Sequence, residues 1–353
     1  MGRLALTRNL AILTFLLGVA SPALAQGTVP HDVKEFGLIC FCNSRVATPH
    51  LPIGLDNNGK ILFAARNGVT PGQLASAGIP ATDSQLRLLT DWSLLTKTGA
   101  AYQTSFPILD PASMAALRER LASTEKRILP ALDADSAAIK RELTKRGYAR
   151  SAYALLFSYV LDGLVWQKLE AAGKLPKTEI SVERPYWSGT FWAVYPKQDA
   201  MPGTNSRAKG RYSLRMLWNP AVVDEINAFY GAKSTGEWMD AFAAGSVEPP
   251  LYGPGGPSPL IIREDRNDPI FVHGSRIADT IAAAMLVTNV AAQLPQADES
   301  QRLLIGTHEF IWMVLADLAA KHRISQPEVL VRGAKSSADL APLVVAIVSP
   351  DKP

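Results

Sequence analysis

Several places in this chain hold residues whose types and spacing could do chemistry without belonging to any named motif. The first is Asp162, which interrupts the run Ser-Ala-Tyr-Ala-Leu-Leu-Phe-Ser-Tyr-Val-Leu-Asp-Gly-Leu-Val-Trp-Gln-Lys-Leu-Glu over 151–170. The run is apolar almost all round and so predicts a central core helix. One helical turn sets Ser158, Tyr159 and Trp166 beside the carboxyl. A carboxylate there must be paired, hydrogen-bonded or protonated, because an isolated buried charge is costly. The plainer role is structural, bonded to a tyrosine hydroxyl or an arginine; the alternative is an acid–base group. The second place is Cys40-Phe41-Cys42, whose two cysteines would share one face of a strand. The plain reading is two half-buried small apolar residues. A disulfide across one intervening residue, easily reduced, or a soft-metal or redox pair are the alternatives. A metal would need further ligands, and the nearby His31 and His50 are not spaced to converge.

His308-Glu309 opens like a zinc-protease helix, but Trp312 stands where the second histidine must fall, so that reading is lost. The pair remains a candidate for acid–base work or for a polar cluster with His273, Arg276 and Asp279; the plainer reading is a core histidine beside a solvent-facing glutamate. Ser123-Thr124-Glu125-Lys126 and Lys97-Thr98-Gly99 match spacings found in penicillin-interacting enzymes, but their order is reversed and the middle motif is missing. Gly253-Pro254-Gly255-Gly256-Pro257 lacks the N–H groups a phosphate loop must present. No cofactor and no metal site is expected.

Between Arg184 and Tyr230 lie nine of the chain's 27 aromatic residues. A small sheet there, with strand pairs around Ser188-Gly189 and the 196–210 loop, would offer Tyr186, Trp187, Trp192 and Trp218 as a platform for a sugar or peptide. Arg184, Arg211 and Arg215 would supply donors; core packing is the alternative use of the same residues. The candidate catalytic set is thus Asp162, His308 and Glu309, and the candidate ligand set Tyr186, Trp187, Trp192, Arg211 and Trp218.

The elements that must position these residues are mostly helical in the first half. Thr70-Pro71 and Thr82-Asp83 are helix starts, Gly78 a helix stop, and Leu95 to Leu109 a hairpin around Gly99. Three short helices followed by a hairpin over about 57–109 resemble a winged helix-turn-helix module. In the DNA-binding members of that class the second helix of the pair reads bases. Here Arg87 and Lys97 are the only cations from Asp83 to Leu109, too few to neutralise phosphates, so a scaffold or protein-contact role is implied and no nucleic-acid partner is expected. Asp110-Pro111 starts a long amphipathic helix with Met114, Leu117, Leu121 and Ile128 inward. Its cationic residues read as a solvated face. Further on, Leu260–Glu264 and Ile270–His273 read as a hairpin, 275–294 and 300–322 as helices, and 343–348 as a buried strand.

The 353 residues are 47% hydrophobic and 19% charged, which excludes disorder, collagen, coiled coil and a polytopic membrane protein. Arg3 and Arg8, the apolar run Leu10–Val19 and Pro22-Ala23-Leu24-Ala25 read as a secretory leader cleaved before Gln26. No stable membrane span is expected after cleavage. The expected organisation is a leader over 1–25, a helical domain with the winged-helix-like unit over 26–174, and an α+β domain over 175–353. The class is α+β, α-rich. The expected function is an exported, periplasmic or extracellular, non-catalytic protein that binds a protein or a small-molecule or glycan ligand. The alternative is a hydrolase-type enzyme with its site between the two halves.

Overall fold

A computed structural model describes residues 29, 31–44, 47–198, 201–245, 251–253, 255–322 and 324–350; the expected leader lies outside these residues. The class is α+β and α-rich. The organising strand is β5 (Trp187–Val194), buried along its whole length. It lies between β1 (Gly37–Ser44), antiparallel, and the short β4 (Ile108–Leu109), parallel. Side chains alternate across a strand, so β5 serves two interiors. Trp187, Phe191 and Ala193 pack into a smaller core that runs from Val33 to Phe106, and Trp192 and Val194 into a larger one that runs from Leu109 to Val348. The strand pair expected around Ser188-Gly189 is therefore corrected to one continuous strand. Gly189 is not a turn: it sits opposite Cys42 at φ +125°, where a Cβ would strike the Phe41 carbonyl.

The smaller core is covered by α1 (His50–Gly54), α2 (Asn58–Ala64), α3 (Pro71–Ser76) and α4 (Asp83–Asp91). Thr70 and Thr82 each cap the amide three residues on while Gln73 and Gln85 bond back, two complete capping boxes. The hairpin of β2 (Leu95–Thr98) and β3 (Ala101–Thr104) turns at Gly99, φ +59°, and Val69 bridges to Tyr102.

The larger core is built on α5 (Pro111–Lys145), which starts at the Asp110 cap. After it comes one continuous helix made of α6 (Ala152–Ala154), a π-helical stretch Leu155–Leu164, and α7 (Val165–Ala171). A second sheet runs in the order β6 (Gly203–Lys209), β7 (Tyr212–Trp218), β9 (Val344–Val348), β8 (Leu260–Arg263). Between β7 and β8 come α8 (Val223–Gly231) and α9 (Lys233–Ala243). The expected hairpin after Leu260 does not form. Asp268 accepts from the Ile270 amide and Pro269 takes the first helical position, so Ile270–His273 opens α10 (Pro269–Leu286), which also ends earlier than expected. The last long helix, α11 (Glu299–His322), has the length and hydropathy of a membrane span, yet 61% of its apolar window is buried in this fold, as a core helix requires.

Where α5 meets α11, Glu125 is 8% exposed and its Oε1 has no hydrogen-bond partner among the described residues. Burial, with Asp317 second, pushes its carboxyl from 4.5 up to about 7. The folded state therefore holds this proton more tightly than the unfolded chain. Stability falls as pH rises from about 4.5 to about 7 and is flat beyond. Glu125→Gln should be more stable than the wild type by roughly 2 kcal/mol at pH 8 and nearly equal to it at pH 4, the full linkage value being reduced by solvent near the carboxyl. Urea melts at the two pH values check this, and an equal difference at both would refute it.

Candidate functional site

The site begins with a question about β1: which of its main-chain groups are spent on β5. Ala193 donates its amide to Pro107 O at 3.0 Å and Tyr195 donates to Leu109 O at 2.9 Å, so alternate residues of β5 turn their main chain toward β4. Their partners on β1, Leu38 opposite Ala193 and Cys40 opposite Phe191, therefore form non-hydrogen-bonded pairs, while Ile39 and Phe41 bond to Trp192 and Thr190. The ring of His50 agrees, because its Nε2 lies 3.2 Å from Leu38 O. The amides and carbonyls of Cys40 and Cys42 consequently face away from the sheet, along an edge that no described strand covers.

That edge borders a groove of about 690 Å³, within the range of about 300–1,000 Å³ that ligand sites occupy. Its other walls are Asp162, Gly163 and Trp166 on the long helix, the 173–179 loop, and Arg215 on β7. Phe41 and Trp166 pack with ring centroids 5.8 Å apart.

Asp162 is held by the indole of Trp166, whose Nε1 donates to Oδ1 at 2.8 Å. Burial raises its pKa; Thr204, Trp166, His308 and Arg215 oppose that in decreasing measure. The expected tyrosine partner goes elsewhere, since Tyr159 donates its hydroxyl to Glu264 at 3.3 Å. Arg215 donates Nη1 to the carbonyls of Ser158 and Asp162, 3.3 Å each, and its Nε has no partner among the described residues. Burial lowers its pKa, while Asp162, Glu264 and Tyr159 favour the charged form. The wide π turns present these carbonyls to the guanidinium, and Gly163 leaves it room, because a Cβ there would lie 3.1 Å from Nη1.

Deeper in, the His308 ring packs edge-on against Trp192 at 5.0 Å and tilted against Trp312 at 4.3 Å. Glu309 is not solvent-facing, as the plainer reading had it: it is 1% exposed and paired with Arg118 at 3.2 Å. His308 Nδ1 lies 3.6 Å from Glu309 Oε1, beyond hydrogen-bond range. Trp192 Nε1 and Trp312 Nε1 likewise have no hydrogen-bond partner among the described residues. The proposed cluster of His308 with His273, Arg276 and Asp279 does not exist. His273 and Arg276 bind Asp135, and Asp279 pairs with Lys168.

The structure thus brings the candidate catalytic set into one region but disperses the candidate ligand set. Trp187 and Trp192 point into different cores. Tyr186 stacks on Trp92, 4.8 Å between centroids, beyond the end of β5. Arg211 lies over the Tyr212 ring, just before β7, and Trp218 at that strand's far end donates to Asn205. No aromatic platform results. Arg118 was not singled out as a partner of Glu309, being 191 residues distant in sequence. The plain reading of the cysteines is also corrected, because Cys40 and Cys42 are bonded to each other. Among the described residues, no three His, Cys, Asp or Glu side chains converge as a metal would require.

The fold and groove define an α+β chain with an open strand edge beside a buried acid–arginine recess. No protein-family model, curated protein or solved structure matches it.

Proposed function

We propose that the protein is an exported binding protein that takes an extended polypeptide segment of a partner into the groove beside β1. The observation that carries this is the open edge at Cys40 and Cys42, whose outward main-chain donors and acceptors have no partner among the described residues along a groove of ligand size. Adding a strand to such an edge gives affinity through the main chain, and flanking side chains give selectivity. Here Trp166 and Phe41 offer an apolar wall, and Asp162 and Arg215 offer an acceptor and a donor at its base. His50 already occupies Leu38 O, so the available edge starts at Cys40. Export is supported by the leader pattern over 3–25 and by the bonded cysteine pair, a link that oxidising compartments maintain. The winged-helix-like unit is proposed as scaffold for the small core.

The test is a selection from a displayed library of random peptides, followed by amide exchange with and without a selected peptide. Slowed exchange at Cys40 and Cys42, with binding weakened about tenfold or more by Trp166→Ala, is the expected result. Protection that maps elsewhere overturns the reading. A hydrolase-type centre is the second reading, favoured by His308 being near enough to Asp162 to oppose the effect of burial on its carboxyl. It requires a turnover assay whose signal collapses in Asp162→Asn and His308→Ala.

A further inference from the structure

We infer that Cys40–Cys42 is a thiol–disulfide exchange centre whose substrate is a thiol-bearing polypeptide lying extended along the β1 edge. The exchange chemistry stands on the cysteines themselves; only the identity of the substrate rests on the groove reading.

Three observations carry it. First, the bond links residues two apart in sequence. A crosslink stabilises a fold chiefly by closing chain, and this one closes almost none. The strand it sits in is already fixed residue by residue against β5. The ordinary structural reason for a disulfide is therefore missing.

Second, the bond changes the backbone it sits on. The two Cα atoms are 5.3 Å apart, whereas two residues of a regular strand span about 6.6 Å. The oxidised pair holds the edge contracted. Opposite Cys42 the sheet accommodates it with Gly189, whose φ of +125° and lack of a Cβ admit the Phe41 carbonyl. Reduction frees the strand to extend.

Third, the pair is reachable. Both cysteines are only partly buried and both border the groove. A segment paired onto the edge at these positions would place a residue opposite either cysteine with its Cβ about 4.5–5.5 Å away. That is close to the roughly 3.5–4.5 Å a disulfide spans, so a substrate cysteine there needs little movement to attack.

The step balances as follows. A substrate thiolate attacks one sulfur of the pair; the Cys40–Cys42 bond breaks, a mixed disulfide forms, and the other cysteine leaves as thiolate and takes a proton. A second substrate thiolate then attacks the substrate sulfur of the mixed disulfide, releasing the remaining cysteine, which is also protonated. The substrate has lost two electrons and two protons and gained a disulfide, and Cys40 and Cys42 have become thiols. Reoxidation needs a second disulfide compound, of the class of oxidised glutathione.

The test uses reduced, unfolded ribonuclease A as the dithiol polypeptide and the oxidised protein without added oxidant. One disulfide should appear in the probe for each lost from the protein, about tenfold or more faster than with the Cys40→Ser/Cys42→Ser variant. One of the two single serine variants, supplied as its mixed disulfide with glutathione, should trap a covalent adduct with the probe. A selected peptide without cysteine should slow exchange with the probe but not reduction by dithiothreitol. If the bond survives excess reduced glutathione and oxidises no probe, it is a structural link and the inference is overturned. If exchange proceeds but the peptide does not slow it, the edge-bound substrate is overturned. Native-like near-ultraviolet dichroism of the serine variants keeps loss of folding apart from loss of exchange.

Discussion

Arg118→Ala is expected to destabilise the protein by about 3 kcal/mol, and adding Glu309→Gln to the same chain is expected to recover most of that loss. Glu309 projects from α11 into the interior with none of its side chain exposed, and Arg118 on α5 is its ion partner among the described residues apart from the neighbouring His308. Truncating the arginine leaves a buried carboxylate with nothing strong to bind it, a change that costs about 3–5 kcal/mol for fully buried pairs. The Arg118 side chain is 41% exposed, so the lower end applies. Replacing the carboxylate by an amide removes the uncompensated charge, which is why the double variant should recover. Urea unfolding of the two single variants and the double variant forms the cycle. Additive losses would mean that Arg118 contributes through packing of its stem and not through Glu309.

Arg215→Met is expected to cost about 2–4 kcal/mol and to weaken peptide binding in the groove as well. The methionine keeps much of the stem's volume, so the loss isolates the guanidinium. That group donates to two carbonyls of the π-helical stretch, and without it Ser158 O and Asp162 O lose a charged donor in a largely buried place. It also faces two carboxyls, Asp162 and Glu264, that its charge stabilises. The Asp162 carboxyl, already raised by burial, should rise further. Its protonation then moves to higher pH, which titration of the Trp166 indole fluorescence would report through the Trp166–Asp162 hydrogen bond. An unchanged melt together with an unchanged Trp166 titration would show that Arg215 is not coupled to this recess.

The sequence by itself determined what depends on neighbours along the chain. Thr70, Thr82, Asp110 and Asp268 cap helices because their side chains reach amides two or three residues on, a distance no tertiary contact alters. The first three are legible as helix starts; Asp268 is not, because two short apolar runs around Asp-Pro also fit a hairpin. The apolar stretch around Asp162 declared a core helix, and its single carboxylate marked the recess, since nothing else polar of that kind occurs in the run. Tertiary structure decided what depends on residues far apart. Which side of the Cys40–Cys42 strand stays open was set by β5 some 150 residues later, whose other edge is spent on β4. Glu309 is buried because Arg118 meets it across α5 and α11. The aromatics of 186–218 were dispersed because β5 is a shared wall with a core on each face. Alternation along a strand fixes that residues take opposite faces, but only the packing decides whether a face meets solvent, ligand or a second core.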